Sequence, residues 1–278
     1  TEDWREKLSK NDLLAITWPK EYGGQGLSHV ESLVLAEEFA RAGVPSGGPN
    51  DGFGIGMLGN TILAVGTEDQ KKNFLARVLS GEDRWCQGYS EPSAGSDLGN
   101  LGCRAVLDGD EWVINGQKIW TSAGHLANHI FVLARTSPDD VKHRGITFLL
   151  VDMRQKGVEV RPIKMMSGDS EFNEVFFTDA RCPKENVVGE INGGWMVAMT
   201  LLGNERGAGA VVSGISFRGE LDKLTRLAKD KGLTKDPHIR QRLSQAHIKV
   251  EIMRFLGYRA LTAFLNGSQP GPEASIGK

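Results

Sequence analysis

The stretch WCQGYSEPSAGSDLGNLGCRAVLDGDEWVINGQKIWTS, residues 85–122, decides how the rest of the chain is read. It opens on a short strand-forming run, RWCQGY, and then breaks into Ser90-Glu91-Pro92-Ser93-Ala94-Gly95-Ser96-Asp97. No apolar periodicity survives there, and Pro92 and Gly95 bar a regular element. Three strand candidates follow in meander order. Asp108-Gly109 and Asn115-Gly116 lie between runs of β-forming residues, the strongest short-range hairpin signal. A hydroxyl-rich, glycine-bearing loop at a sheet edge can cradle an oxygen-rich ligand. The last strand brings Trp120 and Ser122, two residues apart, to one face. An indole plane beside a hydroxyl suits a planar heterocycle.

Outward from this stretch the pattern changes twice. Short alternating runs recur at 102–107, 111–114, 117–121, 129–134, 145–151, 157–163 and 172–177, punctuated by turn residues. They predict a middle antiparallel barrel or sandwich over residues 83–190. Upstream, residues 1–82 read as a helical domain with long loops. Val30, Leu33, Val34, Ala36 and Phe39 keep helical spacing and Gly43 stops them, while Thr67-Glu68-Asp69-Gln70 is a capping box. Between these, Gly54-Ile55-Gly56-Met57-Leu58-Gly59 spells the dinucleotide fingerprint. A dinucleotide site needs a preceding strand and an acid about 20 residues on, and both are missing, so a decoy is expected.

Residues 191–278 read as a helical domain, incomplete as a bundle. Trp195, Val197, Ala198, Leu201 and Leu202 begin one helix, and a second follows Pro237. Two such helices predict an antiparallel pair, with a further segment or a partner subunit covering their remaining apolar faces. The fold class is therefore α+β and multi-domain: a helical N-terminal domain, a middle β domain and a C-terminal helical bundle.

A net charge of −2 over 278 residues, with pI near 6.3, gives no basic excess to displace counterions from nucleic acid. Cys86, Cys103 and Cys182 stand far apart with no CxxC, the pattern of an intracellular chain with buried or idle thiols. No apolar run approaches the roughly 20 residues of a membrane helix, so no integral membrane contact is expected, and the residues from Thr1 onward do not read as a signal peptide. His125 and His129 are spaced like half of a zinc motif, but Leu126 replaces its glutamate and Gly124 argues against a helix, so no metal is expected.

SEPSAGSD followed by NGQKIWTS resembles the two signature blocks of the FAD-dependent acyl-CoA dehydrogenases. The resemblance extends through WPKEYGG (18–24), GTEDQKKNFL (66–75) and DSEFNEVFFTDARCPKENVVGE (169–190). It implies that a carboxylate takes the α proton of a CoA thioester while hydride leaves the β carbon for FAD, giving the trans-2-enoyl-CoA. Carried over by position, the flavin contacts fall on Gln87, Tyr89, Ser90, Ser96, Trp120, Thr121 and Ser122. Ser90 would bond the pyrimidine edge, Trp120 pack on the flavin and Ser122 face N5. Ser96 would lie between the pyrophosphate and the CoA pantetheine. Ser93 and Ser122 depart from the family's more usual glycine or asparagine and threonine, yet keep the chemistry.

Many members of the family place the base in the last third of a longer chain. A minority place it on the helix after the barrel, and Leu202-Gly203-Asn204-Glu205-Arg206 is similar to that arrangement. Glu205 is then the base, with Gly203, Asn204 and Arg206 beside the substrate. The resemblance further implies electron-transfer flavoprotein as acceptor, a homo- or hetero-tetramer, and a cytoplasmic location in a bacterium or a mitochondrial-matrix one in a eukaryote. GYSEP and DSEFNEV lean toward actinobacterial members acting on bulky or steroid-derived thioesters. Two further readings stand beside catalysis: a related flavin oxidase or monooxygenase, and a partner subunit without a complete site of its own.

Overall fold

Helical segments open the chain, and glycines close three of them. The computed structural model describes residues 2–140, 142–207 and 209–266, without the side chains of 204–213 and 264. Helix α1 is Glu2–Lys10 and α2 is His29–Ala42. Ser28 and Glu31 form a capping box at the start of α2, and Gly43 closes it in the left-handed conformation at φ 68°. A π-helical segment, Gly52–Gly59, runs into α3 (Asn60–Val65). Helix α4 is Glu68–Ser80, and its expected capping box is present: Gln70 N donates to Thr67 Oγ1 at 3.2 Å and Thr67 N to Gln70 Oε1 at 3.1 Å. The Gln70 amide also donates to the carbonyls of Glu185 and Val187, at 2.8 and 2.6 Å, tying α4 to the end of the sheet.

Seven strands follow: β1 (Trp85–Gly88), β2 (Arg104–Asp108), β3 (Glu111–Ser122), β4 (His129–Arg135), β5 (Ile146–Asp152), β6 (Val158–Pro162) and β7 (Phe172–Pro183). Their order is β1-β4-β2-β3-β7-β6, with β5 on β4. Most pairs are antiparallel, but β1 runs parallel to β4, and β2 meets β4 in parallel at Arg104 and Arg135. Asp108-Gly109 makes the expected turn, with Gly109 at φ 63° and Asp108 opposite Glu111.

Asn115-Gly116 does not make a second turn. Residues 111–114 and 117–121, read as two strands, are one strand with a register shift between Ile114 and Gly116. The glycine serves close approach instead. It sits at φ 145°, and a Cβ there would stand 2.7 Å from Cys103 Cα.

The sheet curls, so β4 and β5 bury both faces. Phe131, Leu133, Phe148 and Leu150 face a core shared with the helical segments, including Trp18, Leu58, Leu75 and Leu201. Ile130, Val132, Leu149 and Val151 face a second core with Trp112, Ile114, Val175 and Phe177. Three buried thiols fit these cores: burial pushes Cys103 up to about 11 and Cys182 to about 12, and raises Cys86 further still.

Helix α5 (Gly194–Gly207) follows, then α6 (Gly209–Asp230) and α7 (Pro237–Leu265). Gly214 lies against Arg254, and Arg218 pairs with Glu251 at 3.1 Å, so α6 and α7 run antiparallel as the sequence predicts. The chain groups into two units, residues 1–24 with 47–202, and residues 25–46 with 203–278. In the second unit α2 packs on α6 and α7, and Phe217, Leu224, Ile248, Ile252 and Phe255 remain exposed.

Candidate active site

Strand β1 ends at Gly88, and the chain leaves the sheet through Tyr89 into the loop Ser90–Asp97. Glu91 and Ala94 close a tight turn there by exchanging backbone hydrogen bonds of 3.0 and 3.1 Å. The turn is held from below by a buried ion pair. Lys118 Nζ lies 2.7 Å from Glu91 Oε1 and donates to Tyr89 O at 3.1 Å. The Glu91 carboxylate also accepts from Gly102 N at 2.6 Å and from Cys103 N at 2.9 Å. Two charges out of water are costly unless paired and hydrogen-bonded, and here each carboxylate oxygen accepts a backbone N–H while the ammonium has two acceptors. One carboxylate and one ammonium thus fasten the loop, the entry to β2 and strand β3 together. Ile119 N adds a backbone bond to Ser90 O at 2.9 Å.

Beyond Ile119 the strand departs from regular pleat. Lys118 stands opposite Val175 and Thr121 opposite Asn173, so β3 carries one residue more than β7 across this interval. The extra residue is absorbed at Trp120, whose φ is 61°. A bulky residue in that region costs on the order of 1–3 kcal/mol and persists only where its surroundings over-determine it. Here they do: on the far side Asn173 Nδ2 donates to Thr121 O at 2.9 Å, and Ala123 N to Glu171 O at 2.8 Å. The indole is left 57% exposed, edge-on to Phe172 at 6.0 Å. Thr121 turns inward at 1% exposed. Its Oγ1 and the neighbouring Asn173 Oδ1 have no hydrogen-bond partner among the described residues.

The residues singled out in the sequence divide three ways. Gln87, Ser90 and Ser122 are half-buried, while Ser96 and Trp120 are exposed. Ser90 is joined directly to the strand that carries Trp120 and Ser122. Tyr89 and Thr121 point into the protein, Tyr89 edge-on to Phe131 and Phe148 at 5.9 and 6.4 Å. Gly203, Asn204, Glu205 and Arg206 lie on the backbone of α5, and the side chains of the last three fall outside the described residues.

The fingerprint Gly54–Gly59 lies within buried π-helix with no strand before it, as expected of a decoy. His125 is exposed in a short turn, whereas His129 begins β4 and stacks on Trp85 with centroids 4.9 Å apart. The two histidines share no helix face.

Models of the acyl-CoA dehydrogenase N-terminal, middle and C-terminal domains match residues 1–82, 86–180 and 192–278. Acyl-CoA dehydrogenase IpdE1 of Mycobacterium tuberculosis is 44% identical over 97% of this chain and 67% of its own length. The chain belongs to the acyl-CoA dehydrogenase family. Among solved structures, the Tcur3481-Tcur3483 steroid ACAD is similar at TM-score 0.90 and 37% identity, over all of this chain and 71% of that one. The ChsE4-ChsE5 complex from Mycobacterium tuberculosis is similar at 0.85 and 35%, over 99% of this chain and 71% of that one. Acyl-CoA dehydrogenases are FAD-dependent oxidoreductases, and this chain spans about two thirds of the length of IpdE1.

The residues present fit such a cofactor. An exposed indole held in a strained backbone offers a stacking face. Half-buried Ser90 and Ser122 are joined to the same strand end, and beneath them the buried Thr121 Oγ1 and Asn173 Oδ1 have no hydrogen-bond partner among the described residues. The sequence reading passed over Glu91, Lys118 and Asn173, which hold these residues in place. A charge inside each signature block was the available signal for the first two.

Proposed function

We propose that this chain performs the α,β-dehydrogenation of an acyl-CoA thioester to the trans-2-enoyl-CoA, on FAD held by the middle β domain. The observation that carries the reading is the Ser90–Asp97 loop pinned against the bulged end of β3, which presents Trp120 and Ser122. A bound FAD supplies acceptance of the hydride equivalent released from the substrate's β carbon. The chain's own residues do the rest. Trp120 gives the isoalloxazine a flat apolar support, Ser90 and Ser122 fix its orientation by hydrogen bonds, and Gln87, Tyr89 and Thr121 shape the surroundings. Ser96 reaches the pyrophosphate and pantetheine. Glu205, with Gly203, Asn204 and Arg206 on the same stretch of α5, removes the α proton.

The same reading divides the chain into domains at 1–82, 83–190 and 191–278 and takes electron-transfer flavoprotein as the oxidant of the reduced cofactor. The steroid ACAD among the solved relatives supports a bulky or steroid-derived acyl group. Of the homo- and hetero-tetramer, assembly with a different chain has specific support, because two of the solved relatives bear paired names, Tcur3481-Tcur3483 and ChsE4-ChsE5. A cytoplasmic place in a bacterium accords with relatives from mycobacteria.

The test is anaerobic titration of the full-length flavoprotein with a panel of straight-chain, branched and steroid-derived acyl-CoA thioesters. Bleaching of the flavin with formation of an enoyl-CoA two mass units lighter is expected, with slow reoxidation in air. Rapid reoxidation with peroxide release would make it an oxidase. Protein that takes up FAD only when a second chain is supplied would make it a partner subunit.

A further inference from the structure

We infer that the buried Glu91–Lys118 pair is a positioning device for the Trp120 face. It couples the signature loop to the bulge rather than merely filling the core. The inference deepens the flavin reading above and rests on it for what Trp120 receives.

The pair joins segments far apart in sequence. Glu91 is 7% exposed and Lys118 is 0%. Through them the loop at 89–91, the β2 entry at 102–103 and β3 at 118 share one hydrogen-bonded centre. Two residues beyond Lys118 stands Trp120 at φ 61°, and one residue before Glu91 stands Ser90, whose carbonyl takes Ile119 N. Strain at a bulky residue survives only between fixed points. Asn173 fixes Thr121 on the C-terminal side, and the pair fixes Lys118 on the N-terminal side. Were stability its only role, well-packed apolar residues would serve as well, since a buried pair seldom outperforms them. What apolar residues cannot supply is a four-way contact that sets the loop and the strand in one register. Lys118 is wholly buried and Glu91 nearly so, so the pair acts on the cofactor through Ser90 and Trp120.

The experiment uses the full-length protein carrying Glu91→Gln with Lys118→Met, a double change that leaves no unpaired buried charge. Amide hydrogen exchange across 117–122 is measured by mass spectrometry without FAD, and FAD affinity and the visible flavin spectrum are measured separately. We expect exchange in that peptide to rise at least tenfold, with exchange at β4 and β5 unchanged. FAD affinity should fall about tenfold and the flavin band should shift. If the double variant does not fold, Glu91→Asp, which keeps the charge and withdraws the carboxylate by one methylene, is read the same way. Native exchange at 117–122 together with native FAD affinity and spectrum in a folded variant overturns the inference. Failure of the unaltered full-length protein to bind FAD overturns the flavin reading instead, and the exchange measurement still decides whether the pair holds the bulge.

Discussion

Lys118 and Trp120 are two residues apart on one strand, yet the first is wholly buried and the second more than half exposed. In regular pleat they would share a face. The bulge opposite β7 separates them, so the same strand end is anchored in the core by an ammonium and turned outward by an indole. That separation is what makes an anchored yet accessible aromatic face.

The cofactor face and the glycine fingerprint therefore respond oppositely to substitution. Gly56 has no atom within 4 Å of an added Cβ and lies in helix, so Gly56→Ala leaves FAD content unchanged and stability equal or slightly higher. Trp120→Ala removes the stacking surface, about 1 kcal/mol or roughly fivefold in affinity, and shifts the flavin spectrum. FAD content and difference spectra of the purified variants check this. The reverse ranking would move the cofactor away from β3.

Gly116 and Gly109 both stand at positive φ, but only one is crowded. Gly109 has open space around it, so Gly109→Ala costs about 1–2 kcal/mol for the left-handed backbone alone. Gly116→Ala adds a collision with the Cys103 backbone and should cost roughly 1–3 kcal/mol more. Urea unfolding of the two variants decides the order. Equal losses would mean that β3 can slide away from Cys103.

Much of this architecture was legible in the residues, and the exceptions share a cause. The capping box at Thr67, the turn at Gly109 and the decoy at Gly54–Gly59 depend on neighbours within a few positions. The turn read at Asn115-Gly116 failed because the demand for glycine comes from Cys103, which only the folded sheet brings near. The bulge at Trp120 is set by its register on β7, and the Glu91–Lys118 pair spans 27 residues joined only by topology. Local chemistry was readable; pairing across the sheet was not.

His129 makes stability depend on pH. Burial lowers its pKa below the ordinary 6.5, against the pull of Asp83 at 3.4 Å and of Asp152. The unfolded chain therefore takes up a proton first as pH falls. The stabilising contribution is complete above about 6.5 and is lost progressively below it, through the lowered folded-state value. The thermal midpoint should fall between pH 7 and 5, and His129→Gln should flatten that part of the curve. A variant with an unchanged slope would place the acid sensitivity elsewhere.

Glu205 joins sequence position to mechanism, and its isosteric amide separates the two roles open to it. Glu205→Gln keeps size and nearly shape but cannot accept the α proton. FAD should stay bound with an unaltered spectrum, and the acyl-CoA should still bind. Flavin reduction should slow by at least the ~10²-fold that loss of a general base brings, with less effect on affinity than on rate. If Glu205 were only a helix carboxylate paired with a cation, the variant would lose some stability and reduce flavin almost normally. Stopped-flow bleaching of the full-length variant, under nitrogen and with an acyl-CoA that the unaltered enzyme turns over, distinguishes the cases. A rate within about threefold of the unaltered enzyme, on the order of 0.6 kcal/mol in barrier, would assign the proton transfer to another residue.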